Sequence, residues 1–532
     1  MKQIILNGFM GTGKSTLGKS LAQKLDCPFF DLDQLIEKDA QLSVDQIFET
    51  FGEDYFRSLE SKLLSSLLKM EGVIALGGGT LLNELNRNRV LDSSALLIGL
   101  TASVDQIVSR VSNSETVRPL VKIDKAELKR HVQNMLCLRS SIYQFFDFQF
   151  DTTDLTVETI SNQIVALTKL ELSRVTYPGG LYPIVLGRNM LSKIGALISY
   201  RLKPNKIVIV TNPIVSAFYL EPVKASIQEQ EINTEVIHIP DGEDGKHLDT
   251  VNYIYEALAA VHADRNSLLL ALGGGVTGDI TGFAAATYMR GIPFVQVPTT
   301  LLSMVDSSIG GKTGVNLSFG KNLVGAFHQP ELVLMDFDTL ITLPQKEIIN
   351  GFGEFLKHGF IQSNELIQEI LHSPLTLKEL IQDGEFGKIF KRSLDVKRLL
   401  VQIDPYEKHE RMALNFGHTL GHAIEKTSGY QISHGEAVLM GMWFAANLSA
   451  RMGFLSSPDL AAIRHIYEKY HLPMAFEKFN RADLISNISH DKKKDGENFR
   501  WILLQQLGEA FVQTFSSTQE IDDLLGQMGV TK

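Results

Sequence analysis

Eight residues near the N-terminus, Gly8-Phe9-Met10-Gly11-Thr12-Gly13-Lys14-Ser15, satisfy G-x-x-x-x-G-K-[ST] between a strand-like run, QIILNG, and a helix-forming one, KSTLGKSLAQKL. In that context backbone N–H groups wrap phosphates and the helix N-terminus adds positive potential. Lys14 then reaches the β- and γ-phosphates, and the Ser15 hydroxyl ligates Mg2+. The pattern calls for a nucleoside triphosphate but does not name the acceptor; other residues narrow it. FFDLD puts Asp31 and Asp33 at i, i+2 at a strand end, facing one way. One suits water-held Mg2+ and the other a substrate hydroxyl, with loop or cap carboxylates as the plain alternative. EDYFRSLE sets Arg57 on a helix, suited to a carboxylate-bearing substrate. LGGGT, Leu76 to Thr80, follows a strand and permits close backbone approach. Arg118, in VRPL, is expected in a lid, where an arginine stabilises a transferring phosphate. Arg139, in RSSIY, is expected on a helix as a second carboxylate clamp.

A second glycine-lysine loop, SSIGGKTG, fails the same pattern, because the position that needs its first glycine is Asp306. Upstream, LLLALGGGVTGDITGF holds Gly273-x-Gly275-x-x-Gly278 after a strand, without the acidic residue about 20 positions on. It reads as a dinucleotide loop of a different design, with Asp279 towards the ribose or nicotinamide. DGEDGKHL offers Glu243 and Lys246, either as cofactor contacts or as a solvated turn.

Downstream, GEFLKHG puts Glu354 and Lys357 on one helical face. Arg411, Asn415, His418 and His422 fall at i, i+4, i+7 and i+11, one stripe of a single helix, and SHGEA adds His434. One Glu and two His with an open position make a catalytic Zn2+ site. Glu354, His418 and His434 are the expected ligands, and His422 a substrate contact. Capped helices with satisfied histidines are the alternative.

These residues need a scaffold. The chain has 532 residues, 44% hydrophobic and 21% charged, enough for about three packing units. A net charge of −10 argues against a nucleic-acid or membrane surface. Cys27 and Cys137 form no CxxC and read as two small buried hydrophobes. No signal-like segment precedes KQIILNGF and no apolar run reaches about 18 residues, so a soluble cytoplasmic protein is expected.

Strand-like VIAL, ALLIGL and DFQFDTT alternate with helical stretches, which implies a parallel sheet covered on both faces in residues 1–172. SRVTYPGG, residues 173–180, carries linker signals. KIVIV, TEVIHI, SLLLAL, FVQV and LVLM then predict a second α/β sheet over 181–343, and long amphipathic stretches a mainly helical part over 344–532. The fold class is thus α/β: a P-loop unit, a second α/β part and a mainly helical part.

The ordered motifs GxxGxGKST, DxD, FRxxE, GGG, RPL and RxxxY resemble shikimate kinase over about residues 1–170. The resemblance implies that Asp33, Arg57, Gly78, Gly79 and Arg139 bind shikimate. Gly11, Thr12, Gly13, Lys14, Ser15, Thr16 and Asp31 would serve ATP and Mg2+. Lys14 and the lid residue Arg118 would be catalytic.

The motifs GGGVxGD, PTTLLxxxDSSxGGKTxVN, GKN, GExxK, RxxLNFGHTxGHAxE, HGEA and DKK resemble 3-dehydroquinate synthase over about residues 177–515. This implies that 181–343 is an NAD-binding α/β part and 344–532 a helical metal-binding part, with NAD, Zn2+ (or Co2+), a homodimer, and 3-deoxy-D-arabino-heptulosonate 7-phosphate as substrate. By it, Asn212, Asp241, Glu243, Lys246, Gly274 and Gly275 face NAD. Val276, Asp279, Thr299, Thr300, Lys321 and Thr342 do the same, with Asp306 and Lys312 between cofactor and substrate. Asn322, Lys357, Lys397, Arg411, Asn415, His422 and Lys492 join Lys312 around the anionic substrate, and Arg290 reaches the partner subunit's site. The second glycine-lysine loop would then hold a sugar phosphate, not a nucleotide.

The implied chemistry is hydride removal from C5 by NAD+, elimination of phosphate, hydride return, ring opening and aldol closure to 3-dehydroquinate. The metal polarises the C4 and C5 oxygens. The two activities are not adjacent in the aromatic pathway, so fusion implies no channelling. A sugar-phosphate cyclase of other specificity and a metal-dependent polyol dehydrogenase are the neighbouring readings. A degenerate, non-enzymatic half would need vacant key positions, and all are filled.

Overall fold

The computed structural model describes residues 2–113, 125–404, 410–492 and 499–531, with side chains except those of 125 and 489–492. The chain forms two compact units, Met1–Val185 with Gly195–Lys203, and Leu186–Ile194 with Pro204–Lys532.

The first unit runs β1 (Ile4–Gly8), α1 (Lys14–Leu25), β2 (Phe29–Asp31), α2 (Leu32–Ala40), α3 (Val44–Leu67) and β3 (Val73–Ala75). It continues with α4 (Glu84–Asp92), β4 (Leu96–Thr101), α5 (Val104–Ser112), α6 (Lys125–Leu138), β5 (Phe148–Asp151) and α7 (Val157–Thr168). The strands lie in the order β2-β3-β1-β4-β5. All four pairings are parallel, with Ile5 opposite both Ile74 and Leu97. Every residue of β1 is buried, which is why IILNG is continuously apolar up to its turn instead of alternating. Phe9, the second residue of the phosphate loop, packs with Ile107, Val111, Leu128 and Val132 and so anchors the loop to α5 and α6.

Four local expectations change. Asp31 ends β2 but also caps α2, its carboxylate accepting from the Gln34 N–H at 3.4 Å, so Asp33 sits in a helical turn and the two-residue strand period does not apply. α6 stops at Leu138, leaving Arg139 at the head of a short 3-10 turn, Ser140–Ile142. The stretch read as a linker forms β6 (Glu171–Tyr177) and the start of β7 (Gly180–Gly187), neighbours in one sheet. Its β-branched and aromatic side chains outweigh the Pro178-Gly179 turn between the strands. Cys137 is exposed and Cys27 half-buried, so neither is a core residue. Helix α8 (Ile194–Arg201) follows.

The second unit continues with β8 (Lys206–Thr211), α9 (Pro213–Gln228), β9 (Asn233–His238), α10 (Leu248–Ala260), β10 (Ser267–Gly273), α11 (Gly275–Thr287) and β11 (Phe294–Pro298). A π-helical turn, Ser303–Ser307, leads into an antiparallel ribbon, β12 (Lys312–Leu317) with β13 (Gly320–Phe327), and then β14 (Leu332–Asp336). Five of these strands, in the order β14-β11-β10-β8-β9, pair in parallel.

The helical part comprises α12 (Gln345–Gln362), α13 (Asn364–His372), α14 (Leu377–Gln382), α15 (Phe386–Ile403), α16 (His418–Thr427), α17 (His434–Arg451), α18 (Ser457–Lys469) and α19 (Arg481–Lys492). An antiparallel hairpin, β15 (Phe499–Gln506) with β16 (Glu509–Phe515), and α20 (Gln519–Gln527) close the chain. α12 is buried on every side from Asn350 to Ile361, with Glu354 and Lys357 inside it. No described helix is long and apolar enough to cross a membrane.

Candidate functional site

In the first unit the phosphate loop opens α1, whose N-cap is Gly13. The Lys14 ammonium donates to the carbonyls of Gly8 at 2.7 Å and Phe9 at 3.1 Å, folded over its own loop. The Ser15 hydroxyl donates to Asp31 at 2.6 Å, which brings two of the expected Mg2+ residues together. Thr12 is buried and donates through Oγ1 to the Phe9 carbonyl, so its side chain shapes the loop; Thr16 is exposed one turn along.

The triple-glycine turn is a second focus. A Cβ on Gly77 would sit 2.6 Å from Asp33, and one on Gly79 3.1 Å from the Arg57 guanidinium. Arg139 donates to the Gly78 carbonyl at 3.3 Å and Tyr143 at 2.8 Å. Asp33, Arg57, Gly78, Gly79 and Arg139 thus converge on one turn. Glu60, which closes the FRxxE motif, was given no role by the sequence: 1% exposed, it accepts from Arg57 at 3.0 Å and from Thr80 at 2.7 Å. Its signal was available, three residues beyond Arg57 on the same helix. Arg118 lies outside the described residues.

In the second unit the geometry begins with glycine. The Gly435 N–H donates to Asn350 Oδ1 at 2.6 Å, and α17 crosses α12 so closely that a Cβ on Gly435 would lie 1.8 Å from the Asn350 carbonyl oxygen. This crossing delivers His434, first residue of α17, to Glu354 on α12. The expected single-helix stripe is not formed. Arg411 and Asn415 lie on a 3-10 turn, Glu410–Asn415, and α16 starts only at His418. Gly417 between them has φ +81°, where an L side chain is strained, and a Cβ there would meet Met442 at 2.5 Å. The chain breaks at this glycine and restarts with His418 aimed at the same carboxylate.

Nε2 of His418 and Nε2 of His434 each lie 3.5 Å from Glu354 Oε1. That oxygen is buried without a hydrogen-bond partner, while Oε2 pairs with Lys357. His418 donates through Nδ1 to the Phe416 carbonyl at 3.2 Å, and His434 through Nδ1 to Glu425 at 3.1 Å, which turns both Nε2 atoms towards the carboxylate. The ligand atoms of Glu354, His418 and His434 fall within 4.8 Å of one another. One buried carboxylate oxygen and two imidazole nitrogens fit a divalent ion of the Zn2+ class.

Burial would raise the Glu354 carboxyl, yet Lys357, His418 and His434 hold it well below the usual range. Burial and Lys357 push His418 down to about 3. Burial would also lower His434, but the Glu354 and Glu425 carboxylates on either side of its ring lift it to about 10.

His418 and His434 line a cleft of about 1540 Å3, while Glu354 itself is fully buried. Its walls carry Lys312, Lys357, Lys397, Arg411, Asn415 and His422 on the helical side and ribbon. Asp241, Glu243, Lys246, Gly274, Gly275 and Val276 line the sheet side. Asp279, Thr299, Thr300, Asp306, Lys321 and Asn322 lie between, with Thr342 at the rim. Lys357, Lys397 and Arg411 are buried, Lys397 paired with Asp306 on the π-helical turn. Lys246 donates at 2.6 Å to both Asp279 and Asn322. Burial pushes the Asp279 carboxyl up to about 6 against the pull of Lys246. Lys246, Lys357, Lys397 and Arg411 are all buried here, the first three held in place by Asp279, Glu354 and Asp306, so an anionic guest meets cations already positioned.

Asn212 caps α9 and donates to Asp241 at 2.8 Å, so it acts behind the cleft wall. Arg290 is exposed and lines no part of this cleft. The Lys492 side chain lies outside the described residues. Glu425, which closes the RxxLNFGHTxGHAxE motif, was given no role by the sequence, although it shares α16 with His418 and His422.

A P-loop unit with a substrate-like focus and a second α/β unit with a Glu-His-His cluster in a cationic cleft define two enzyme modules in one polypeptide. Residues 10–169 match the family model for shikimate kinase. Residues 236–350 match 3-dehydroquinate synthase N-terminal, and 351–494 its C-terminal part. A 3-dehydroquinate synthase of Streptococcus suis (strain 05ZYH33) is 41% identical over 351 residues, 66% of this chain and 98% of the relative. One of Geotalea uraniireducens is 42% identical over 347 residues, 65% of this chain and 96% of the relative. Among solved structures, 2-epi-5-epi-valiolone synthase of Streptomyces hygroscopicus, with NAD+ and Zn2+ bound, is 26% identical, with a TM-score of 0.60 over 65% of this chain and 96% of its own. A 2-deoxy-scyllo-inosose synthase complexed with carbaglucose-6-phosphate, NAD+ and Co2+ is 25% identical, with a TM-score of 0.60 over 67% and 100%. The chain belongs to the 3-dehydroquinate synthase family over its C-terminal two thirds and carries a shikimate kinase domain ahead of it, a kinase and a lyase of the shikimate pathway in one polypeptide.

Proposed function

We propose that the second unit cyclises 3-deoxy-D-arabino-heptulosonate 7-phosphate to 3-dehydroquinate with NAD and a divalent metal, Zn2+ or Co2+. The observation that carries this is the orphaned Glu354 oxygen facing the Nε2 atoms of His418 and His434, two histidines that line a cleft holding the buried cations Lys357, Lys397 and Arg411. Glu354, His418 and His434 would hold the ion. When bound, the ion supplies polarisation of substrate hydroxyls and NAD a reversible hydride acceptor. The chain's own residues do the rest. Lys312, Lys357, Lys397, Arg411, Asn415, Asn322 and His422 bind and neutralise the acid and phosphate ends, so phosphate leaves as a screened anion. Asp306 orients Lys397 through their ion pair. Asp241, Glu243, Lys246, Asp279 and the Gly274–Val276 turn face the dinucleotide, with Lys321, Thr299, Thr300 and Thr342 around it.

The first unit transfers the γ-phosphoryl group of MgATP to the 3-hydroxyl of shikimate. Lys14, Ser15 and Asp31 meet the nucleotide and Mg2+, while Asp33, Arg57, Gly79 and Arg139 hold the acceptor. The synthase unit works as a homodimer: Leu317, Phe319, Leu323 and Phe327 of the β12–β13 ribbon and Met289 beside Arg290 are exposed apolar side chains. The setting is cytoplasmic.

The test is to give the metal-loaded chain the heptulosonate phosphate and catalytic NAD+ without ATP. Equimolar phosphate and 3-dehydroquinate, with no accumulating NADH, is the expected result. Absence of phosphate, or net NADH, would move the reading to another sugar phosphate or to a polyol dehydrogenase.

A further inference from the structure

We propose that Glu425 is a positioning residue that orients the metal ligand His434 and ties it to Lys321 of the β12–β13 ribbon. This rests on the metal-site reading above and adds a residue and a linkage to it.

Glu425 is 6% exposed and its two carboxylate oxygens are divided. Oε2 accepts the Nδ1–H of His434 at 3.1 Å, and Oε1 accepts from the Lys321 ammonium at 3.3 Å. The same ammonium lies 4.4 Å from the centroid of the Tyr430 ring. An imidazole presents Nε2 to a metal only while Nδ1 keeps its proton. A carboxylate on that proton fixes the tautomer and the ring plane and raises the basicity of Nε2. A buried carboxylate is costly alone, so Lys321 is its counter-charge, steadied by the aromatic face.

The two histidines differ here. His418 donates to a backbone carbonyl, which is rigidly placed by the chain break at Gly417. His434 alone of the two histidines is oriented by a side chain. That side chain is held from the ribbon that also carries Lys312 and Asn322 of the same cleft. A shift of the ribbon at Lys321 therefore reaches the metal site through one carboxylate.

His422, Glu425 and His434 also bring ligand atoms within 4.8 Å of one another, so Glu425 as a direct ligand is the competing arrangement. Its contacts speak for positioning, since both oxygens are already occupied by donors.

The test titrates Zn2+ into the metal-free full chain against a chromogenic chelator, for wild type, E354Q, E425Q, K321M and E425Q/K321M. E425Q is expected to weaken binding about 10- to 100-fold and E354Q more. K321M should weaken it several-fold, and the double variant should match E425Q alone, because both act through one link. Melting of the metal-free proteins separates misfolding from lost orientation, and K321M, at a half-exposed position, tests the link should E425Q not fold. Binding by E425Q within twofold of wild type, or additive losses, would overturn the proposal while E354Q upholds the site. A loss in E425Q as deep as in E354Q would make Glu425 a ligand instead. No loss in E354Q would remove the metal site and this proposal with it.

Discussion

Gly435 and Asn350 touch backbone to backbone: the Gly435 N–H donates to the Asn350 side chain, and the Asn350 carbonyl occupies the space a Cβ would need. This contact sets the distance between α12 and α17, hence between Glu354 and His434. Gly435→Ala should destabilise the second unit by about 1–3 kcal/mol or more through overpacking and lower Zn2+ affinity with it. Gly384→Ala, where nothing lies within 4 Å, is the control and should stay within about 0.5 kcal/mol. Thermal unfolding and chelator competition read both. Equal behaviour of the two variants would mean that the helices can move apart freely.

The two activities should separate by variant. Lys14→Ala should cut phosphoryl transfer at least about 100-fold while phosphate release from the heptulosonate phosphate stays within about twofold. Stripping the tight metal with a chelator and returning the chain to Mg2+ buffer should do the reverse. Parallel loss of both activities in either experiment would refute two independent sites.

Glu60 braces Arg57 and Thr80 from beneath the triple-glycine turn. Glu60→Ala should raise KM for shikimate with less change in kcat, because Arg57 loses its orientation but not its charge. It should also cost about 1–3 kcal/mol, since Thr80 is left buried without its acceptor. An unchanged KM would show that Glu53, which also pairs with Arg57 at 3.1 Å, suffices.

Asp279 gives a pH dependence of known sign. Burial, above all, raises its carboxyl to about 6 in the folded chain. The native state therefore favours the protonated form. Its contribution to stability is complete below the unfolded value near 4 and is lost as pH rises through about 6, by at most about 3 kcal/mol. Relative to D279N, without NAD, the wild-type melting temperature should fall as pH rises from about 4 to about 7, and the two curves should run parallel above it. Parallel curves throughout would place the titration elsewhere.

Much of the chemistry is legible in residue order. The phosphate loop is a local object: glycines, a lysine and a hydroxyl within eight residues of a strand end act wherever the chain goes. The alternation of apolar strands with helices announces parallel sheets for the same reason, since burial on both faces demands continuous runs such as IILNG and SLLLAL. The residue types of the metal site could be picked out too, because a Glu and several His within apolar helices have few other uses.

Contacts across the fold were settled only by tertiary structure. A helical period carried from Arg411 to His422 assumes one unbroken helix, and one glycine at φ +81° defeats it. Asp31 and Asp33 part company because a carboxylate that can cap a helix does so, whatever the strand before it suggests. Glu60 and Glu425 stood in the motifs as letters without a role until their partners arrived. Glu354 and His434 stand eighty residues apart in the chain. They meet because glycine at 435 lets two helices pack at backbone distance, and spacing along a sequence carries no measure of that approach.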